Sequence, residues 1–284
     1  MTKRIGFAVV AIPLAVLLVW LGGWPLAVLV AIVAMLGVRE LYDLARPQGI
    51  EAFRSTGMAI AFGVPLVVHA TMISVATSVW LDRSWVYLAA ALLLLLLVQA
   101  LVARGPGARP LGAIAVTLFG IGYASCLPAF LIGIRHGGWP AQSWGGAMMV
   151  VFPLVTTWVC DTAAMFGGKA IGGPKLAPTI SPGKTRAGGV AGIVGGGLIG
   201  VLFALVVFPA VGITVGVLPA LGMAVLLATV GQLGDLAESL LKREAGVKDS
   251  SALIPGHGGI LDRFDSLYFV LPTAAFCYHL LGLL

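Results

Sequence analysis

Residues 235–265 hold the chain's densest group of side chains able to do chemistry. These 31 residues carry Asp235, Glu238, Asp249, Asp262 and Asp265 besides Glu244, four basic residues (Lys242, Arg243, Lys248, Arg263) and a glycine-flanked His257. Asp235, Glu238, Ser239 and Lys242 fall on one face of a helix, because neighbours three and four apart stack. Converging carboxylates suit a divalent cation, and Mg²⁺ typically takes one or two of them plus phosphate oxygens of a substrate. Lysine and arginine beside them suit the phosphates themselves. The combination describes a phosphoryl- or nucleotidyl-transfer site. A solvated face is the ordinary explanation of a charged run, yet only 10% of this chain is charged and the charges gather here.

Two other features point the same way with less force. The stretch Lys169-Ala170-Ile171-Gly172-Gly173-Pro174-Lys175, then Ser181-Pro182-Gly183-Lys184-Thr185, offers backbone N–H groups, hydroxyls and point charges to a phosphate. The helix expected to follow presents its N-terminus there, which favours anions. The stretch is not a GxxxxGK[ST] loop, and a basic loop that only enforces topology explains it equally well. Asp161 sits inside an apolar run, where a carboxylate needs a partner and should face the bundle interior or a wet cavity. A structural hydrogen bond and a place near a cation are both open for it.

The elements that must position these groups are membrane helices. The 284 residues are 60% hydrophobic, with mean hydropathy +1.06. A soluble domain carries about 45–50% apolar and about 25% charged residues, so a water-soluble fold and a disordered chain are both excluded. The apolar runs are also too long for the alternating strands of a membrane barrel. We expect an all-α polytopic protein of about nine spans, near 5–21, 24–38, 57–79, 85–103, 110–134, 147–167, 187–208, 212–233 and 266–283. The first resembles the start of a signal peptide, but Gly22-Gly23-Trp24-Pro25 reads as a turn into a second span, which is short and can extend through Arg39–Ala45.

Nine spans with the N-terminus inside put 15 of the 17 basic residues on one face and leave only Arg83 and Arg135 on the other. That is a strong positive-inside bias, so the N-terminus and the charged loops are expected on the cytoplasmic side of the cell membrane. The net charge of +6 then reads as topology plus a polyanion site, with no nucleic-acid partner. Residues 1–145 are read as N-terminal helices and 146–284 as the catalytic region, within one integrated membrane domain. Gly188, Gly192, Gly196 and Gly200 form a ridge for close helix approach; intramolecular packing is the expectation and a homodimer the alternative. Cys126, Cys160 and Cys277 lie singly in apolar stretches and read as small buried hydrophobes.

The run Ser239-x-Leu241-Lys242-Arg243-x4-Lys248-Asp249-x-Ser251-x2-Ile254-Pro255-x-His257-Gly258-Gly259-Ile260-x-Asp262-Arg263-Phe264-Asp265 resembles the signature of the phosphatidate cytidylyltransferases, or CDP-diacylglycerol synthases. Lys175 to Thr185 resembles a second block of that family, and Asp161 falls where members carry an intramembrane aspartate. The likeness is specific over about 161–268. Arg186 and Ala187 depart from the Trp and Glu or Gln usual after Lys-Thr, and Met165 or its neighbour stands where many members carry Tyr. No role is carried over for those side chains.

The resemblance implies CTP and phosphatidate as substrates, CDP-diacylglycerol and pyrophosphate as products, and Mg²⁺ with room for a second cation. It implies Asp235 and Asp262 as metal ligands, and Lys184, Lys242, Arg243, Lys248 and Arg263 as phosphate-binding groups. Ser181 and Thr185 would add hydroxyl contacts. His257 is open between phosphate binding, a structural place beside Gly258-Gly259 and acid–base chemistry; Asp249 and Asp265 are open between site contact and capping. A lipid kinase using CTP on a polyprenol would share these demands but release CDP. A transporter with a basic gate would show inverted repeats, and the charged loops sit in one half only.

Overall fold

Backbone polar groups in hydrocarbon must pair within their own segment, so each apolar run becomes a helix. The computed structural model describes residues 13–254, 256 and 258–284. Helical residues 13–21 form α1, followed by α2 (Gly23–Ala45), α3 (Arg54–Ile73), α4 (Val75–Ala103), α5 (Pro110–Ile121), α6 (Leu127–His136) and α7 (Trp144–Ile171). After the hairpin β1 (Lys175–Ala177) and β2 (Ser181–Thr185) come α8 (Arg186–Leu202), α9 (Phe208–Ala210), α10 (Val217–Glu244), α11 (Leu261–Phe264) and α12 (Leu267–Leu280). Single π-turns at Gly122–Cys126 and Phe203–Val207 join α5 to α6 and α8 to α9 into continuous rods.

Seven of the described helical rods are long and apolar enough to cross a membrane. The expected first span, 5–21, lies partly outside the described residues. The last apolar run gives only the 14-residue α12, about 21 Å at 1.5 Å per residue against a hydrocarbon layer of about 30 Å. It sits inside the bundle, with Tyr268, Val270, Leu271, Ala274 and Tyr278 fully buried. Helix α2 does run on through Arg39–Ala45. The expected outer loop near residues 80–84 is displaced: α3 and α4 meet at Ser74, whose hydroxyl accepts a hydrogen bond from the Thr77 N–H at 3.2 Å. Asp82 and Arg83 therefore lie inside α4, both exposed.

The two ends of the bundle are tied differently. At one end Arg135 is wholly buried and donates to the carbonyls of Val19, Trp20 and Pro140. A guanidinium suits the carbonyls of a helix C-terminus, and this one fastens α1 to α6 and the start of α7. At the other end lie the loops after α2, α4, α7 and α10, and these carry the charged motifs.

The glycine ridge of α8 is consumed inside the chain. A Cβ on Gly192 would lie 2.9 Å from the Cys160 carbonyl of α7, one on Gly196 2.7 Å from the Ala228 Cβ, and one on Gly200 2.5 Å from the Ala220 carbonyl of α10. The ridge is thus not free as a dimer face. Cys160 and Cys277 are buried as expected, whereas Cys126 is exposed. Gly196→Leu should lower the melting temperature of the detergent-solubilised protein by the equivalent of about 1–3 kcal/mol or more. A variant as stable and monodisperse as the wild type would contradict this packing.

Candidate active site

Helix α10 carries the expected face into the charged end of the bundle. The Ser239 hydroxyl donates to Asp235 Oδ1 at 3.3 Å, and Lys242 Nζ reaches Glu238 Oε1 at 3.1 Å. The same ammonium donates to Asp262 Oδ1 at 2.6 Å. Lys242 is therefore sandwiched between two buried carboxylates: Glu238 is wholly inaccessible, and its other oxygen has no partner among the described residues.

Asp262 stands in the short helix α11. Its Oδ2 accepts from the Ser250 N–H (2.8 Å), the Ser250 hydroxyl (2.9 Å) and the Gly259 N–H (2.7 Å). Burial alone would raise its pKa, but the hydrogen bonds from Lys242, Gly259 and Ser250 outweigh that and hold it below the usual carboxylate value. Asp265 is pushed the other way, to about 6, by burial and by the charge of Asp235, against partial relief from the Ser266 N–H and two lysines. Gly258 has φ +79°, and a Cβ there would lie 2.6 Å from Asp262 Oδ2. A Cβ on Gly259 would collide with the Ser250 hydroxyl and the carboxylate of Glu40. The consecutive glycines are what let the loop close on two carboxylates.

Glu40 comes from α2, far away in sequence. It is 3% exposed, accepts from the Ser251 hydroxyl and from the backbone N–H groups of Ile260 and Leu261, and shares the Ser250 hydroxyl proton with Asp262.

Beside this cluster a cavity of about 540 Å³ opens between α7, the hairpin, the start of α8 and α10. Lys169, Lys175 and Lys184 line it with Asp161, Asp235 and Gln232. Lys184 Nζ contacts Asp235 Oδ2 at 2.5 Å. Gly188 and Gly189 bring the first turn of α8 to the wall, and the positive end of that helix favours an anion. Gln232 donates to the Gly189 carbonyl at 3.1 Å and so braces α10 against α8. Gly234 leaves room for the Asp265 carbonyl, which a Cβ would meet at 2.8 Å.

The sequence-predicted residues divide accordingly. Asp235, Lys184 and Thr185 line the cavity, while Lys242 and Asp262 form the buried cluster next to it. The Thr185 hydroxyl caps α8, accepting from the Gly188 N–H at 3.0 Å. Arg243 donates to the carbonyls of Ile180 and Val247 and pins the hairpin tip to the end of α10. Ser181 opens β2, half-buried and outside the cavity lining. Lys248, Asp249 and Arg263 are exposed and make no ion pair among the described residues. His257 lies outside the described residues. Glu40, Gln232 and Ser250 were not expected. Nothing local marks Glu40, which looks like one more boundary charge beside Arg39.

A helical membrane bundle with a lysine-lined, carboxylate-edged cavity at one end defines an integral-membrane protein built to handle phosphate-bearing substrates. The chain belongs to the cytidylyltransferase family, whose pattern it matches over residues 2–281. It is 35% identical to a phosphatidate cytidylyltransferase of Synechocystis sp. over 303 aligned positions, covering 99% of this chain and 97% of the relative. Phosphatidate cytidylyltransferases of Brucella suis (48% identity over 122 residues, 43% of each chain) and Staphylococcus saprophyticus (45% over 127 residues, 45% of this chain and 47% of that one) match over shorter stretches.

The two ion pairs differ in burial, and their loss should differ accordingly. The side chains of Lys242, Glu238 and Asp262 are 10%, 0% and 5% exposed, against 27% and 26% for Lys184 and Asp235. Lys242→Met should cost about 3–5 kcal/mol by stranding two buried carboxylates, and Lys184→Met about 1 kcal/mol or less. Thermal unfolding in detergent measures both; equal losses would contradict the assignment.

Proposed function

We propose that this chain transfers the cytidylyl group of CTP to phosphatidate, giving CDP-diacylglycerol and pyrophosphate. The observation that carries the proposal is the cavity: three lysines, the first turn of α8, Asp235 and Asp161 line it together at the loop end of a membrane bundle. Its volume of about 540 Å³ lies in the usual range for small-molecule sites. A phosphatidate oxygen attacks the α-phosphorus of CTP, the α–β bridging P–O bond breaks, and pyrophosphate leaves with that oxygen. The attacking phosphate is already ionised near neutral pH, so no strong base is demanded.

The carboxylates fit a divalent cation. Among the described residues no group of three or more His, Cys, Asp or Glu side chains could hold a metal ion by itself. Mg²⁺ needs only one or two carboxylates when substrate phosphates complete its shell. Glu238 and Asp262 share a single ammonium, Lys242, and Asp235 has only Lys184 as ion-pair partner among the described residues. Asp235 and Asp262 would hold the cation. When bound, Mg²⁺ supplies charge neutralisation for the triphosphate and the leaving pyrophosphate.

Lys184, released from Asp235, would bind phosphate together with Lys169 and Lys175. Lys242 orients Asp262. Arg243 ties the hairpin tip to the end of α10, and the exposed Arg263 and Lys248 would add phosphate contacts. The sequence's charge asymmetry supports a cytoplasmic location for this end in the cell membrane.

Purified protein given CTP, Mg²⁺ and phosphatidate should release pyrophosphate and form CDP-diacylglycerol. Asp235→Asn should remove at least about 100-fold of the rate, the upper end of what disturbing a metal's outer shell costs, while leaving a folded protein. Release of CDP with a polyprenol substrate, or a fully active Asp235→Asn variant, would contradict the reading.

A further inference from the structure

Helix α11 has four residues, too few to hold itself together, since a first helical turn is unfavourable without outside support. Yet it carries Asp262. Two of the N–H groups at its start, those of Ile260 and Leu261, have no intrahelical acceptor and donate to Glu40 Oε1 and Oε2 at 3.0 and 2.9 Å. Ser251 and Ser250 bring their hydroxyls to the same two oxygens at 2.7 and 2.9 Å. Oε1 thus takes two donors, and Oε2 takes the Leu261 N–H while sharing the single Ser250 hydroxyl proton with Asp262. The carboxylate bridges both ends of the loop that runs from Ser250 to Leu261.

We infer that Glu40, on α2 in the N-terminal half, is a positioning residue for the catalytic loop, fixing where Asp262 points. The Ser250 hydroxyl lies 2.9 Å from both the Glu40 and Asp262 carboxylates, so the two acids are set by a common group. Gly259 packs against both Ser250 and Glu40 with no room for a Cβ, which leaves the loop a single seat. Glu40 makes no ion pair among the described residues, Lys242 being the partner of Glu238 and Asp262. Its role is therefore to organise the donors rather than to neutralise an ammonium. The consequence for turnover rests on the reaction proposed above; the effect on the loop does not.

The test uses Glu40→Gln and the milder Ser251→Ala in the full-length protein in detergent. Glutamine has one acceptor oxygen and turns an NH₂ toward N–H donors, so it can satisfy at most two of the four. Amide exchange in residues 259–262 should then accelerate at least about tenfold without substrate, while the apolar stretch of α10 keeps wild-type protection. In CDP-diacylglycerol synthesis the Mg²⁺ concentration for half-maximal rate should rise about 10–100-fold, the range for disturbing the groups that orient a metal ligand. A purely structural role would lower the yield of active protein and leave that concentration unchanged. Ser251→Ala should shift both readouts in the same direction by less, and it decides the matter should Glu40→Gln not fold. Wild-type exchange at 259–262 and an unshifted Mg²⁺ dependence would overturn the inference. A wild-type protein that makes no CDP-diacylglycerol would overturn the reaction reading instead, and the exchange result would still decide the clamp.

Discussion

Lys242 places one ammonium among buried carboxylates, 2.6 Å from Asp262 and 3.1 Å from Glu238. Taking these charges out of water costs several kcal/mol per ion, and the cost is recovered only when geometry and additional hydrogen bonds are both good. The surrounding chain is arranged to supply them. The loop after α10 turns back so that Ser250 and Gly259 donate to Asp262, and α11 is anchored on Glu40. Gly234 lets the Asp265 backbone pack onto α10 at a distance that a side chain would forbid. Helix α12 continues from this knot into the centre of the bundle, which explains why a helix too short to span is still among the most buried.

Two carboxylates share that one ammonium. The pair at the cavity edge, Lys184 and Asp235, is half-open and looser in energetic terms. On the proposed mechanism the buried cluster keeps Asp262 in place, and the cavity pair is the part that rearranges when phosphates and a cation enter. At the far end of the bundle Arg135 is locked to carbonyls of α1 and of the loop before α7. One end is fastened and the other is poised for ligands.

Much of this was legible in the sequence because a bilayer makes hydrophobic length and charge placement nearly deterministic. The helical runs, the extension of α2 through Arg39–Ala45 and the shared face of Asp235, Glu238, Ser239 and Lys242 all follow from local periodicity. The boundary between α3 and α4 did not, because a serine cap at Ser74 outweighed the expectation that Asp82 and Arg83 sit in a loop. Glu40 was invisible for a different reason: its partners lie 210 to 221 residues away, and no local pattern encodes such a contact. Thr185 and Arg243 were given phosphate contacts by the family resemblance. Their atoms are engaged in capping α8 and pinning the hairpin, uses that depend on tertiary neighbours.

The central claim of the proposed mechanism is that the carboxylates form half a cation site and the substrate triphosphate the other half. Binding of Mn²⁺, followed by electron paramagnetic resonance on the purified protein with and without a non-hydrolysable CTP analogue, tests it most directly. The account predicts that the analogue tightens Mn²⁺ binding at least about tenfold, as expected when substrate phosphates complete the shell, and that Asp235→Asn abolishes the gain. Equal Mn²⁺ affinity with and without the analogue, or undiminished analogue binding in the presence of a chelator, would contradict it.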